Sequence, residues 1–577
     1  MAAARSPRPT PTVSKPSRQP LTNADIASTL LRLAQLLSAK GENPFKVKAY
    51  RRAAESIAAA GESMQELVLR DADLTQLPGI GKGISGAIRE IVTSGELATL
   101  QALRSEVSPE LAAISDYPKL DPNRVLQIYK KLGITSVPEL KARLESGELG
   151  AKLGARLEQH VRQALVPQHD LLLVDADELA ASIRKFLLDH CGVKRVEITG
   201  EVRRRVEVVG SLSLVVETAD FASVVRKFGR FGGHANLLHQ SDHHATFQLS
   251  SGPTVKLDGN SGRTWGTALI EATGSDAHLE LLQDRNPPWS KLVGVHGMVT
   301  SETAAYRKLG LPFIAPELRE GRDEIALAGQ GKLPELISIE DIAGELHAHS
   351  TSSDGAHTIE QMVAGARKRG YKYLGITDHS RSLKIAGGVS TDDLWTQIRV
   401  IDQVNASLRG FRILKSAEVD ILSDGTLDYP DDLLRELDYT VCSIHSRFAL
   451  RKQEQTERIL RAMDNPYFSI LGHATGRLLL KRPGYEIDLP RIIEHARARG
   501  CCFEINASPD RLDLSAEHAR LVRDAGVKIA ICTDAHSVRE FDYIRCGIDQ
   551  ARRAGLEKAD VLNTRSWPEL ETLLKSR

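Results

Sequence analysis

Apolar positions recur with two different periods along this 577-residue chain, and the change of period divides it. Over residues 22–105 they recur every three to four positions, as from Leu30 to Leu37, which predicts amphipathic helices. Over residues 170–260 apolar and polar positions alternate, as in β-strands. From about residue 340 short apolar runs alternate with helix-length segments, the pattern of a βα barrel. The sequence therefore predicts a multidomain α+β protein.

A tight turn lies between two predicted helices of the first region, with the sequence Pro78-Gly79-Ile80-Gly81-Lys82. Its glycines let the backbone approach a phosphate, and the amides at the start of the next helix supply donors. This pattern is the helix-hairpin-helix signature, which holds the DNA backbone without reading sequence. We therefore expect DNA contacts at Gly79, Gly81, Lys82 and Gly83.

A basic cluster precedes this turn, at Lys46, Lys48 and Arg51. It is predicted to contact DNA phosphates, although a solvated helix face has the same composition. Two later segments have the length of a hairpin without its glycines: one carries Lys119 and Asp121 at those places, and LGAKLGARLEQHV is equally imperfect. Because an aspartate would repel phosphate, we expect a packing role for both.

Metal-ligand residue types end the predicted strands of the C-terminal region. His347 and His349 stand two positions apart, so an extended segment would aim both at one ion. Such a pair alone can equally be a chance surface feature. The later strands end in further candidates: Asp378, His379, Glu418, His445, His473, Glu504, Asn506, Asp534 and His536. Because βα barrels gather these strand ends at one face, the series predicts a metal site.

Composition indicates neither a strongly basic nucleic-acid-binding protein nor a membrane protein. The formal net charge is +1, so any nucleic-acid affinity must come from local patches. Six cysteines without a CxxC pair are expected to be reduced core residues. No apolar run has membrane-spanning length and no signal-peptide core is present, which predicts no membrane partner. Residues 1–20 are rich in Pro, Ser and Arg and are expected to form a disordered basic tail.

Five stretches carry a family resemblance: ENPFKVKAYRRAAESI, LPGIGKG, TGEVRRRVEVVGSLSL, WGTALIEATGS and LGLPFIAPELREGR. In these the chain resembles the bacterial family X DNA polymerases, relatives of the eukaryotic repair polymerase beta. The resemblance implies a monomer that binds DNA, gapped or with a 3′ end. It also implies a helical lyase-like domain with the hairpin over 21–105, a helical fingers-like domain over 106–168, a polymerase-beta-like palm over 169–285 and a thumb over 286–335.

The chain departs from this family at the palm. Ser211 and Ser213 stand where the family has a DxD pair, and Lys256 stands where it has a third aspartate. Two-metal nucleotidyl transfer needs carboxylates, whereas hydroxyls are neutral and an ammonium group repels Mg²⁺. A two-residue slip would bring Asp258 to the face of Lys256, but one carboxylate does not hold two ions. We expect an inactive palm without Mg²⁺.

Two further features of the palm concern phosphate. Glu201 replaces the serine that grips triphosphate in the family, and a carboxylate there repels phosphate. Arg203 and Arg204 follow it and are expected to retain DNA binding.

The order of ligand residues over 336–577 resembles the polymerase and histidinol phosphatase (PHP) domain. That resemblance implies a distorted seven-stranded TIM-like barrel with three divalent ions, Mn²⁺ or Zn²⁺. It implies nine ligands with a catalytic role through the metals: His347, His349, Asp354, His379, Glu418, His445, His473, Asp534 and His536. Arg511 resembles a family position beside the pocket and is expected to hold phosphate. Arg381, Lys384, Arg447 and Arg477 follow the motifs and are either phosphate contacts or surface residues.

The two resemblances together imply a DNA-repair protein, acting in base excision repair as a metal-dependent 3′–5′ exonuclease in the bacterial cytoplasm, associated with the nucleoid. A bifunctional gap-filling polymerase with exonuclease activity is the first alternative. A small-molecule phosphatase is the second, against which the hairpin stands, because such an enzyme has no need to grip a backbone. A non-enzymatic DNA-binding scaffold is the third.

Overall fold

The computed structural model describes residues 21–115, 117, 122–153, 158, 161, 165, 170–285, 288–294 and 299–575. The predicted basic tail, Lys119, Asp121 and part of the third hairpin candidate lie outside the described residues. The chain divides into two compact units. The described parts of 1–143, 227–236 and 249–251 form the first, and those of 144–226, 237–248 and 252–577 form the second. The finer domain boundaries stay predictions.

The N-terminal region is helical, as its apolar period predicts. The first helix begins after Thr22, whose hydroxyl accepts from the Asp25 amide while the Asp25 carboxylate accepts from the Thr22 amide, a capping box. Asn23 then binds the backbone of Ala60, Glu62 and Met64, which fixes the first three helices together. The helices up to residue 153 are Asn23–Ala39, Pro44–Ala59, Met64–Leu69, Lys82–Ser94, Ala98–Glu106, Pro109–Ile114, Pro122–Leu132, Val137–Glu145 and Glu148–Leu153.

The predicted hairpin lies between two of these helices. Gly79 has φ +77°, a conformation that residues with a Cβ rarely adopt. Ile80 is buried and anchors the turn in the core, and the helix Lys82–Ser94 begins directly after Gly81. Gly79, Gly81, Lys82 and Gly83 consequently stay exposed.

A five-stranded sheet forms the palm region, with strand order β2-β4-β7-β6-β5. Its strands are β2 Arg195–Thr199, β4 Ser211–Glu217, β5 Ala235–Gln240, β6 His244–Leu249 and β7 Thr254–Asn260, and a separate pair joins β1 Leu171–Leu172 to β3 Val208–Val209. The helices of this region and of the thumb are Leu173–His190, Gly200–Arg203, Phe221–Phe228, Trp265–Thr273, Asp276–Gln283, Trp289–Gly294, Glu302–Lys308 and Glu324–Gly329.

The C-terminal region is a nearly closed barrel of seven parallel strands in sequence order, which confirms the predicted fold class. The strands are β8 Gly344–Glu345, β9 Tyr373–Ile376, β10 Arg412–Asp420, β11 Tyr439–Ser443, β12 Ile470–Leu471, β13 Cys502–Asn506 and β14 Ile529–Cys532. The helices around it are Ile359–Lys368, Thr391–Ser407, Asp431–Leu434, Lys452–Met463, Leu489–Arg499, Ala516–Asp524, Ile544–Arg553 and Trp567–Lys575. Most strands are buried along their length, because helices cover one face and the barrel core the other.

Five of the six cysteines lie in the core as predicted, and Cys546 is half-buried. All six are free thiols, and Cys191, Cys442, Cys501, Cys502 and Cys532 are buried. Among the helices of the described chain, none combines the length and the apolar character needed to cross a bilayer.

The barrel core predicts a large effect at Gly375. A methyl group there would overlap the hydroxyl of Tyr439, which donates to the Leu346 carbonyl just before the first predicted ligand. We expect Gly375→Ala to lower the free energy of unfolding by about 1–3 kcal/mol, because the tyrosine must move. Chemical denaturation of Gly375→Ala and of Gly86→Ala measures this. Gly86→Ala adds the same methyl group in open space and should be neutral or stabilising; equal destabilisation would contradict the packing argument.

Candidate metal centre

The nine predicted ligands converge at the C-terminal ends of the barrel strands. His347, His349 and Asp354 follow β8; His379 follows β9; Glu418 lies within β10; His445 follows β11; His473 follows β12; Asp534 and His536 follow β14. Parallel strands bring these ends to one face, which is why residues far apart in sequence meet there.

The deepest group of ligand atoms surrounds one point. The Nε2 atoms of His347 and His349 lie 3.5 and 3.0 Å from Asp534 Oδ1. The same two atoms lie 3.6 and 3.7 Å from Glu418 Oε2. Both imidazoles are fully buried. Two imidazole nitrogens and two carboxylate oxygens at these separations can ligate one cation.

A second group lies at the open edge. Asp354 Oδ1 is 3.3 Å from His536 Nε2, 3.6 Å from His379 Nε2 and 3.9 Å from His349 Nδ1. The side chains of Asp354 and His536 are each 34% exposed, so this group faces solvent.

A third group uses the other oxygen of Glu418. Its Oε1 lies 2.9 Å from His473 Nε2 and 3.3 Å from His445 Nε2. His379 also approaches the same carboxylate, with Nδ1 2.7 Å from Oε2. Glu418 is therefore common to the first and third groups, and the structure brings all nine predicted ligands together.

Neighbouring acceptors set the orientation of the imidazoles. Glu504 lies 2.6 Å from His347 Nδ1 and accepts from the His473 amide, and Asp420 lies 2.6 Å from His445 Nδ1. Occupying Nδ1 in this way directs Nε2 toward the ligand groups. Sequence reasoning noticed Glu504 only as a strand-end residue and missed Asp420. The sequence contains a signal for Asp420, because this residue stands two positions after Glu418 and so lies on the same face of the strand.

The carboxylates and imidazoles of the site shift one another's pKa values. Burial opposes ionisation of Glu418, but the imidazoles of His379, His445 and His347 hold its pKa well below the usual range. Burial likewise opposes protonation of His445, but Glu418 and Asp420 raise its pKa to about 9. The carboxylates thus favour positive charge on their partners, and divalent cations supply such charge when they bind.

Unpaired buried atoms test whether cations fit the site. His347 Nε2, His349 Nδ1 and Glu418 Oε2 are buried and have no hydrogen-bond partner among the residues that the structure describes. A buried polar atom left unpaired costs about 1–3 kcal/mol. His347 Nε2 and Glu418 Oε2 belong to the first ligand group and His349 Nδ1 to the second, so a ligand is favoured at each of these two groups. Mixed imidazole and carboxylate donors suit Mn²⁺ and Zn²⁺. His473 and Asp534 also have positive φ, 25° and 53°, a strain found at functional sites.

The predicted phosphate-binding cations differ in their surroundings. Arg511 Nε lies 3.7 Å from Asp534 Oδ2, so its guanidinium group borders the first ligand group. Arg381 pairs with Asp428 at 3.2 Å, and Arg477 pairs with Glu207 at 2.8 Å. Lys384 and Arg447 are exposed. Arg511 is thus the candidate that borders the metal ligands.

The predicted DNA contacts of the N-terminal region are available to solvent. Lys46, Lys48 and Arg51 are exposed on the helix Pro44–Ala59. The neighbouring Arg52 packs its side chain against Gly79, which places this helix beside the hairpin. The arrangement suits a phosphate backbone, and DNA binding by these residues stays a prediction.

The palm sheet has the register expected from the sequence. Ser213 lies beside Lys256 on the parallel pair β4 and β7, and Asp258 lies one same-face position further along. Because Ser213 pairs with Lys256, the two-residue slip is not adopted. Asp258 instead lies 2.5 Å from His244. The Glu201 carboxylate accepts from the amides of Gly210 and Ser211, at the start of the strand that carries the two serines.

Arg203 and Arg204 already have carboxylate partners. Arg203 lies 2.6 Å from Glu302, and Arg204 lies 3.1 Å from Glu320. A DNA phosphate would have to compete with these ion pairs, and DNA contact by the two arginines stays a prediction.

Comparisons with known proteins cover both ends of the chain. Residues 21–97 match the family model of a helix-hairpin-helix domain, and residues 345–508 match that of the PHP domain. The Bacillus subtilis (strain 168) protein named DNA polymerase/3′-5′ exonuclease PolX is 34% identical over 569 residues, which covers 96% of this chain and 99% of that protein. A probable phosphatase of Thermoanaerobacter sp. (strain X514) is 30% identical over 234 residues, 38% of this chain and 89% of that protein.

The shared position of Glu418 predicts an unequal loss of metal. We expect Glu418→Gln to reduce bound Mn²⁺ per chain more than Asp354→Asn does, because Glu418 faces two ligand groups and Asp354 one. Mass spectrometry of metal content after gel filtration measures the difference. Asp424→Asn, an exposed carboxylate in the barrel, is the control and should retain the full content. Equal losses in the two site variants would refute the sharing.

Proposed function

Because the chain belongs to the family of the bacterial DNA polymerase/3′-5′ exonuclease PolX, we propose that it is a metal-dependent 3′–5′ exonuclease that acts on DNA through the barrel site. One contrast carries the proposal. The barrel has nine candidate ligand residues in three groups, two of which share Glu418, whereas the palm has Lys256 beside Ser213 where cations would have to bind.

The ligand residues are proposed to hold three divalent ions, Mn²⁺ or Zn²⁺. When bound, such ions lower the pKa of a coordinated water and offset charge on a phosphate. Glu418 would contribute to the binding of two of these ions, and Glu504 and Asp420 keep the imidazole Nε2 atoms of His347 and His445 aimed inward. The exposed edge at Asp354 and His536 admits the DNA end, and the Arg511 guanidinium group holds a phosphate oxygen.

The N-terminal hairpin and its basic helix are proposed to hold the DNA backbone while the barrel removes nucleotides. Exposed amides at Gly79 and Gly81, with Lys46 and Lys48 nearby, support this role. The substrate is gapped DNA or DNA with a 3′ end, the protein acts as a monomer in base excision repair, and its place is the nucleoid of the bacterial cytoplasm.

The palm is proposed to be inactive as a polymerase. An ammonium group at Lys256 and hydroxyls at Ser211 and Ser213 cannot replace three carboxylates around Mg²⁺. Glu201 adds negative charge where the family grips triphosphate, and its carboxylate is held there by two backbone amides.

A small-molecule phosphatase is the second candidate, favoured by the similarity of the barrel to the probable phosphatases. The helix-hairpin-helix region separates the two candidates, because a metabolite phosphatase gains nothing from a backbone-gripping turn. Hydrolysis of phosphate monoesters at rates far above those on DNA would favour the phosphatase.

The exonuclease proposal predicts a separation of activities in one double variant. We expect His349→Ala with His379→Ala to abolish digestion of a labelled 3′-recessed duplex in Mn²⁺, because both imidazoles belong to the ligand groups. DNA affinity, measured by fluorescence anisotropy, should stay within about twofold of the parent, since phosphate contacts elsewhere dominate binding. Persistent digestion by the double variant would show that the nuclease site lies elsewhere.

The inactive palm predicts no extension of a primer on gapped DNA with the four deoxynucleotides and Mg²⁺ or Mn²⁺. The His349→Ala, His379→Ala background serves for this assay, because it prevents digestion from hiding synthesis. Robust extension that Asp258→Ala abolishes would establish a working palm and the bifunctional alternative.

A further inference from the structure

The palm segment 204–207 is joined to the barrel at several points. Arg205 lies 2.7 Å from Asp549 of the barrel, and Arg553 of the barrel donates to the Arg204 carbonyl. Glu207 accepts from Arg477 at 2.8 Å. Only the last of these three contacts leads on to the metal centre.

Arg477 uses three nitrogens at once. Nη1 donates to Glu207, Nε donates to the Arg511 carbonyl at 3.0 Å, and Nη2 donates to the Leu512 carbonyl. Its side chain is 18% exposed and that of Glu207 21%, so solvent screens this ion pair only in part. With these donors engaged, Arg477 acts as a link between the palm and the segment that carries Arg511.

The segment held by Arg477 is strained. Leu512 is buried and has φ +42°, a conformation that a residue with a Cβ rarely adopts and that persists only where the surroundings enforce it. Two bonds from one guanidinium group to consecutive carbonyls provide such enforcement. The amides of Arg511 and Leu512 both donate to the Ser508 carbonyl, which closes the turn.

The turn held by Arg477 is connected to the candidate metal ligands through Arg511, whose Nε lies 3.7 Å from Asp534 Oδ2. We propose that Glu207 of the palm is a positioning residue for the barrel site: through Arg477 it holds the 511–512 turn and thereby aims the Arg511 guanidinium group at the substrate phosphate. This rests on the proposed phosphodiesterase activity of the site. It gives the palm a role in hydrolysis that is independent of nucleotide transfer.

The test compares two ion pairs of the same kind in the full-length protein. Glu207→Gln weakens the link to Arg477. Glu317→Gln weakens the thumb-to-barrel pair with Arg552, at 2.7 Å, and the other hydrogen bond of that guanidinium group goes to the Ile337 carbonyl. We expect Glu207→Gln to lower kcat/KM for a 3′-recessed duplex roughly tenfold, mainly by raising KM, with bound metal unchanged. Glu317→Gln should keep the parent value within about twofold.

A double-variant cycle separates positioning from general damage. In an Arg511→Ala background, Glu207→Gln should change kcat/KM by less than about twofold, because the group that it positions is gone. A tenfold loss in that background too, or an equal loss in Glu317→Gln, would overturn the proposal.

A second measurement does not depend on activity. Hydrogen–deuterium exchange at the amides of Arg511 and Leu512 should be faster in Glu207→Gln than in Glu317→Gln, with equal melting temperatures. Unchanged exchange at this turn would refute the link whatever the enzyme does. Failure of the proposed function would give a different result. Nuclease activity would then survive in the His349→Ala, His379→Ala variant, while the difference in hydrogen–deuterium exchange between Glu207→Gln and Glu317→Gln remained.

Discussion

The barrel site depends on the buried carboxylate of Glu418. Its two oxygens face different groups of imidazoles, 2.9 Å from His473 on one side and 3.6 Å from His347 on the other. A lone carboxylate at 1% exposure would be strongly unfavourable, and the surrounding imidazoles are what make its charge tolerable. The orientation of those imidazoles depends in turn on Glu504 and Asp420. Several side chains at the C-terminal end of the barrel strands are therefore arranged around the charge of one carboxylate.

In the palm the strands pair regularly, but the side chains at the site do not have the charges that divalent cations require. Its strand pairing is intact, with Ser213 beside Lys256, yet the charge of the site has changed sign relative to a set of three carboxylates. Backbone hydrogen bonds determine the sheet, and they do not depend on which polar side chains project from it. The sheet is therefore compatible with a changed set of charges at its site, and the link from Glu207 through Arg477 is a contact of this region that does not depend on those charges.

The barrel, and the convergence of its candidate ligands at one face, could be predicted from the sequence because both follow from short-range patterns. Alternating strands and helices predict parallel strands, and parallel strands bring their ends to one face, so His445 and Asp534 could be assigned to the same face from the sequence. The hairpin at Gly79 was found for a similar reason, since its glycines mark one backbone shape.

Other features depend on side chains that meet only after folding. Arg477 follows a ligand histidine and was interpreted as either a phosphate contact or a surface residue, but its partner Glu207 stands 270 positions earlier. No periodicity predicts that contact. Arg203 and Arg204 were assigned to DNA for their charge alone, and the carboxylates that pair with them, Glu302 and Glu320, lie on distant segments.

In the ion pairs between the barrel and the rest of the second unit, the barrel contributes the positively charged side chain more often than the negatively charged one. The barrel contributes four arginines to them, Arg477, Arg520, Arg552 and Arg553, paired with Glu207, Asp323, Glu317 and Glu320. In the other direction it contributes acids, such as Asp549 to Arg205. A barrel severed near residue 336 would therefore uncover an arginine-rich face that the whole protein neutralises internally. Such a fragment would bind polyanions through that face. Its measured affinity for DNA would then come from the newly exposed arginines and would differ from that of the whole protein.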